Sequence, residues 1–238
     1  MDVMNNWRAL LLPYQELDLA LRHRRWFRRR YHHVLSEQEL QDSVASYRAL
    51  PSLVADLTDG RIELAADIRD PLRPLTTLTD QGAGFFWPSP DDVRLELDQF
   101  APRGSYDSIF VFWPQRDTEK RTNIPCRGWG LGMGPSDSTN GATYAAVGNA
   151  PSWAWTREAP GEVWLHEWLH GVCQFFGSRG YRMPERDADG AEVYGYARSQ
   201  SRGWTEYYRD LMNCRVADSG AMLGIPRDAW HSAQPRFT

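Results

Sequence analysis

The pentapeptide His166-Glu167-Trp168-Leu169-His170 places two imidazoles four positions apart, with a carboxylate beside the first. On a helix, positions i and i+4 lie on one face, so both rings can reach a single metal ion. Glu167 then sits where it can take a proton from a water activated by that metal. The flanks are apolar on nearly every side: Glu162-Val163-Trp164-Leu165 before the pattern and Gly171-Val172-Cys173-Gln174-Phe175-Phe176 after it. That is how a fully buried helix reads. Pro160 suits its start and Gly177 its C-terminal cap. Two histidines and a glutamate in such a helix need partners, because an unpaired buried charge costs several kcal/mol. A metal meets that need; a hydrogen-bonded cluster of core histidines is the alternative.

A catalytic zinc usually has three protein ligands and one position left for water. The other histidines, His23, His32, His33 and His231, lie far from the pattern, whereas the acidic run Glu185-Arg186-Asp187-Ala188-Asp189-Gly190-Ala191-Glu192 follows it closely. Asp189, Glu192 and Asp187 are the candidate third donors. A helix cap at Asp189, or a carboxylate behind a ligating histidine at Glu192, are the other roles open to them. Cys173 follows His170 by three positions and shares its face, but suits a small core residue better than a ligand.

The pattern resembles that of the HExxH zinc metallopeptidases, over residues 162 to 196. One large gluzincin family has HExxH, eighteen residues and then a glutamate ligand; here residues 171 to 188 are the eighteen and Asp189 comes next. Aspzincins use an aspartate followed shortly by Tyr-Gly, and Asp189 with Tyr194-Gly195 is similar at a different spacing. The metzincin pattern is absent, since Cys173 and Phe176 stand where its Gly and third His belong.

The resemblance implies zinc held by His166, His170 and Asp189, with Glu192 as the alternate. It implies a hydrolase in which Glu167 is the general base and the substrate carries a peptide or amide bond. An oxyanion donor is expected as well, for which Tyr196 and Tyr194 are the first candidates and Tyr207 and Tyr208 further ones. The implied fold is α+β and zincin-like: an N-terminal mixed sheet with helices, the buried HExxH helix, and a small C-terminal helical lobe. Zincins bind substrate backbone along an edge strand preceding the metal helix, a role open to Tyr144 to Val147. Trp129, Trp153 and Trp155 are candidates for the cleft wall or for ordinary packing. Two other functions share the motif: a zinc enzyme acting on a small molecule in biosynthesis, and a non-catalytic binding protein on the same scaffold. An intact Glu167 argues against the second.

The elements that must position these groups are readable along the chain. Its 238 residues suit one domain, with residues 1–177 as the sheet lobe plus metal helix and 178–238 as the lower lobe. An apolar run within 7–19 predicts a first strand. Ser36 and Glu39 form a capping box that opens a helix to Ala55 or Asp56. Residues 61–68 alternate as a strand, Pro90-Asp91-Asp92 starts a helix to about Phe100, and 108–113 is a short buried strand. Gly128-Trp129-Gly130-Leu131-Gly132-Met133-Gly134 lacks the Lys-Ser/Thr ending of a phosphate loop; its glycines permit close backbone approach. Beyond the metal helix, short helices are expected around 189–199 and 204–214, with Met222 in the core.

A net charge of -4 gives no ground for a nucleic-acid partner. The basic and aromatic segment 22–33 reads as a loop or helix start; its interleaved arginines and aromatics suit nucleic acid or an acidic partner, but a solvated loop whose charges balance the acidic remainder is the expectation. Three cysteines make no disulfide framework and fit reduced thiols. No stretch is apolar for long enough to span a membrane, and the run before Pro13 is too short for a secretion signal. A cytoplasmic protein is the expectation.

Overall fold

A computed structural model describes residues 5–24, 27–128, 130–149 and 159–237. Its centre is a five-stranded mixed sheet. In chain order the first elements are β1 (Asn5–Pro13), the hairpin β2 (Glu16–Arg24) and β3 (Phe27–Val34), helix α1 (Glu37–Leu57) and β4 (Ile62–Ile68). Then come the short pair β5 (Thr79–Asp80) and β6 (Phe86–Trp87), α2 (Arg94–Phe100), β7 (Ser108–Trp113), and the short pair β8 (Arg116–Asp117) and β9 (Thr122–Asn123). β10 (Gly130–Met133), β11 (Thr143–Gly148) and helix α3 (Glu162–Gly177) follow. The chain closes with α4 (Thr205–Leu211), the hairpin β12 (Val216–Asp218) and β13 (Ala221–Leu223), and α5 (Ala229–Ser232).

The sheet order is β10-β11-β7-β1-β4. β4, β1, β7 and β11 run parallel, and β10 is antiparallel at the edge. Side chains alternate across a strand, and here both faces are covered, which is why the central strands read as unbroken apolar runs. Trp7, Ala9 and Leu11 of β1, Phe110 and Phe112 of β7, and Ala145 and Val147 of β11 face α1 and α3. Leu10, Leu12, Ile109, Val111, Tyr144 and Ala146 point the other way, toward α2 and the β2–β3 hairpin. Aromatic rings lock α3 to the sheet: Trp7 meets Trp168 edge-on at 5.8 Å, and Trp230 of α5 closes on Trp7 at 5.4 Å.

The expected capping box is present at α1, with Ser36 accepting from the Glu39 backbone and the Glu39 carboxylate accepting from the Ser36 backbone. Several expectations are corrected. Residues 22–33 are not a loop or helix start but lie in the β2–β3 hairpin, apart from Arg25 and Trp26, which lie outside the described residues. Leu17, Leu19, Leu21, Tyr31 and His33 bury one of its faces, an alternation hidden in sequence by the arginines. Residues 143–148 form an interior strand, because β10 pairs outside them. Gly177 is the last residue of α3, and the left-handed turn after the helix falls at Gly180 (φ 89°). No helix spans 189–199: the 3-10 turn Asp187–Gly190 runs into further turns, and Gly195 (φ 82°) breaks the helical course. The C-terminal part is therefore more turn than helix. Met222 is 60% exposed, since the β12–β13 hairpin lifts it away from the core. Among the described residues no helix is long and apolar enough to cross a membrane.

Candidate metal centre

Helix α3 enters against α1. Gly161 caps it at φ 91° and lies so close to α1 that an added Cβ would meet the Leu50 backbone at 3.0 Å. Its amide donates to the Ser46 hydroxyl at 3.2 Å. The helix is then held by burial of Trp164, Leu165, Trp168, Leu169 and Val172, and the Trp168 indole donates to Ser108 Oγ at 2.7 Å. With that face fixed, His166, Glu167 and His170 take the remaining side, beneath β10.

The alternating glycines of β10 explain how the strand fits there. A Cβ at Gly130 would lie 2.0 Å from the Glu167 carboxyl carbon. A Cβ at Gly132 would lie 2.4 Å from the Glu167 carbonyl oxygen and from His170 Cβ. From the other side, a Cβ at Gly171 would meet the Met133 carbonyl at 2.4 Å. Strand and helix thus approach to a distance that side chains would forbid. The Gly134 amide adds a hydrogen bond to Gln174 Oε1 at 2.8 Å.

The two imidazoles face each other, Nε2 to Nε2, at 3.3 Å. Asp189 approaches both, with Oδ1 at 3.4 Å from His166 Nε2 and Oδ2 at 3.9 Å from His170 Nε2. Among the described residues, His166, His170 and Asp189 form the group of His, Cys, Asp and Glu side chains whose ligand atoms gather within 4.8 Å. Each histidine is oriented from behind. His170 Nδ1 lies 2.5 Å from Asp187 Oδ1, and His166 Nδ1 lies 2.8 Å from the Tyr208 hydroxyl. With both Nδ1–H groups donating outward, both Nε2 lone pairs point into one small space. Two such lone pairs repel unless a cation or a shared proton lies between them. Donors about 2.0–2.1 Å from a tetrahedral zinc stand roughly 3.3 Å apart, so the donor set and spacing fit zinc.

Asp187 is held in place by its own backbone. Arg186 (φ 63°) and Asp187 (φ 38°) are both left-handed, a conformation that costs a non-glycine residue about 1–2 kcal/mol. The Tyr207 hydroxyl bonds the Asp187 carbonyl, and Asp187 Oδ1 also accepts from the Ala188 amide at 2.5 Å. Gly190 is required beside them, since a Cβ there would come within 2.6 Å of the Tyr207 oxygen.

Protonation follows from these surroundings. Burial lowers His166 to about 4, helped by the charge of His170 and opposed by Asp189 and Asp187. Burial also depresses His170, but the Asp187 hydrogen bond and the charges of Asp187, Glu167 and Asp189 win and raise it. Burial lifts Glu167 to about 7, with Asp189 and Asp187 adding to the rise and His170 opposing it. A carboxylate poised near neutrality is suited to accept and return a proton. Burial pushes the Cys173 thiol well above its usual range, and Cys173 belongs to the core.

The other expected residues lie elsewhere. Glu192 is exposed and outside the ligand group. The Tyr196 hydroxyl donates to Asp210 at 2.7 Å, and the Tyr194 hydroxyl accepts from the Glu185 amide at 2.8 Å. Tyr207 and Tyr208 are the tyrosines in contact with the groups around the histidines. Trp129, Trp153 and Trp155 lie outside the described residues. Asp187, a candidate ligand by sequence, instead supports His170 from behind; an acid two positions before a candidate ligand, with Gly190 after it, is the signal the sequence carries. Tyr208 gave no such signal. No known protein-family model matches the chain, and no curated protein matches it significantly.

Proposed function

We propose that this chain is a zinc-dependent hydrolase of the metallopeptidase type, with a zincin-like arrangement of sheet, metal helix and lower lobe. The observation that carries the reading is the convergence of His166 Nε2, His170 Nε2 and the Asp189 carboxylate next to the buried Glu167. His166, His170 and Asp189 would hold the ion. When bound, zinc supplies Lewis acidity, polarising a carbonyl and bringing the pKa of water down to about 7.

The remaining steps belong to the chain. Glu167 accepts the proton of the attacking water and passes it to the leaving amine. With a divalent ion held beside it, Glu167 would be favoured in its ionised form, ready to act as base at neutral pH. β10 lies at the sheet edge above the helix, so an extended peptide can pair with its outer backbone groups. Stabilisation of the oxyanion by Tyr194 or Tyr196 requires either hydroxyl to leave its present partner, the Glu185 amide or Asp210.

The test is zinc content together with digestion of a peptide library. Wild-type protein is expected to hold about one zinc per chain and to cleave peptides. Glu167→Gln should keep the zinc and lose activity by about 10²- to 10⁴-fold. A zinc-loaded protein that cleaves no peptide but hydrolyses a small amide would move the reading to a small-molecule enzyme. Full activity in Glu167→Gln would remove the mechanism.

A further inference from the structure

The β2–β3 hairpin carries charge that the proposed reaction does not use. Residues 22–30 hold six arginines, and no Asp or Glu lies between Asp18 and Glu37. The net charge of -4 describes the whole chain and hides this local excess.

Near its base the hairpin is neutralised from within. Arg30 donates to both oxygens of Asp18, at 2.9 and 2.7 Å, and His32 Nε2 lies 3.0 Å from Glu16. Lys120, which reaches from the β8–β9 turn to the His32 carbonyl, pairs with Asp117 at 2.9 Å.

Toward the far end the compensation stops. The register sets Arg22 opposite Arg28 and Arg24 opposite Phe27. Like charges directly opposite each other on two strands repel, so this pairing costs stability unless an anion is supplied. Arg28 and Arg29 are exposed, and neither has an ion-pair partner among the described residues. The Arg29 guanidinium lies over the Tyr31 ring, 5.1 Å from the centroid. Stacking of this kind fixes the plane of a guanidinium and leaves its edge N–H groups open.

Two features of the hairpin decide which anion fits. Its charges lie on both faces: Arg29 pairs with Leu21 and shares a side with Tyr31, while Arg28 and Arg30 take the other side. Apart from the bridge Leu17–Leu75 near its base, it pairs with no further strand among the described residues, so its far end is a two-stranded ribbon. A flat anionic surface meets one face of a ribbon. A duplex groove has phosphates along both walls, and the major groove of DNA, about 12 Å wide, admits a two-stranded ribbon. The major groove of an RNA duplex is too narrow for it.

We propose that the far end of the β2–β3 hairpin binds double-stranded DNA in the major groove, with Arg28 and Arg29 on phosphates. Phosphate contacts carry no sequence information, so this binding is independent of sequence. It stands apart from the hydrolase reading.

The test is fluorescence anisotropy of a short labelled DNA duplex, titrated with the whole chain at several salt concentrations. With about three phosphates neutralised, the affinity should fall roughly fortyfold between about 50 and 200 mM salt. Arg28→Gln with Arg29→Gln should remove about two units of the salt slope and weaken low-salt binding on the order of a hundredfold. Both side chains are exposed, so the circular dichroism spectrum should stay unchanged. No binding at low salt overturns the proposal, as does binding that the double variant retains in full. A single strand bound as tightly as the duplex would replace the groove with a stacking surface. Phosphatidylserine vesicles bound in place of the duplex would replace it with a membrane surface, and displacement by polyglutamate at equal charge with a general acid-binding one. Each of these three results overturns the proposal as well.

Discussion

Helix α3 supplies His166, Glu167 and His170 from a rod packed against the sheet, whereas Asp187 and Asp189 come from a largely exposed segment, residues 178–203, whose one regular piece is a 3-10 turn. The helix is fixed by buried tryptophans and by glycines that admit β10. The segment is held by polar contacts, the Tyr207 hydroxyl on the Asp187 carbonyl and Asp187 on His170, by core packing of Ala188 and Ala191, and just past its end by the Trp204 amide on Glu162 at 2.6 Å. Asp189 itself is 64% exposed. Two of the candidate donors therefore come from a packed helix, and the third from an exposed side chain in an irregular segment. The difference assigns α3 the geometry of the proposed site and most of its affinity for an ion, with Asp189 completing the donor set.

The comparison can be broken most sharply at the helix. His170→Ala should weaken zinc binding by about a hundred- to a thousandfold, taking roughly a third of a zinc-binding free energy of about 10 kcal/mol. Competition with a zinc chelator measures it. Asp189→Ala removes the donor from the irregular side and should cost on the order of a hundredfold in the same assay. A loss as large as that of His170→Ala would erase the distinction between the two sides.

Gly132→Ala tests the helix side without replacing a ligand. The added methyl meets the Glu167 carbonyl oxygen and His170 Cβ, and denaturant unfolding should show about 1–3 kcal/mol of lost stability. Asp187→Asn should lower zinc affinity about tenfold, the low end for a carboxylate behind a ligating imidazole, since the amide oxygen can still accept from His170. The smallest effect is expected on stripping the metal from wild-type protein. Hydrogen exchange should quicken across residues 185–196 and stay unchanged in the interior of α3. Equal loosening of both would show that the helix too depends on the ion.

The same contrast explains what could be read from sequence. α1, β7 and α3 carry local signals: a capping box at α1, an unbroken apolar run at β7, and the His-Glu-x-x-His spacing with apolar flanks at α3. The capping box fixed the start of α1. The segment after α3 has no periodicity: its course depends on Arg186 and Asp187 in left-handed conformations and on Tyr207, twenty positions away from the carbonyl it bonds. The helix expected around 189–199 is replaced by a 3-10 turn and further turns. At the metal centre, local spacing revealed the two histidines and Glu167. The partners behind the histidines, Asp187 and Tyr208, depend on tertiary contacts that spacing does not encode. The glycines of β10 read as permission for close approach, but only the fold shows that α3 is what approaches.

The central claim is a zinc held by two imidazoles from α3 and one carboxylate from the segment after it. Zinc K-edge absorption spectroscopy on loaded wild-type and Asp189→Ala protein tests it most directly. The account predicts a first shell of two imidazole nitrogens with light oxygen donors in the wild type, at about 2.0–2.2 Å. In Asp189→Ala the two imidazoles should remain and the carboxylate be replaced by solvent. A protein that takes up no zinc, a shell without two imidazoles, or a shell unchanged by Asp189→Ala would contradict it.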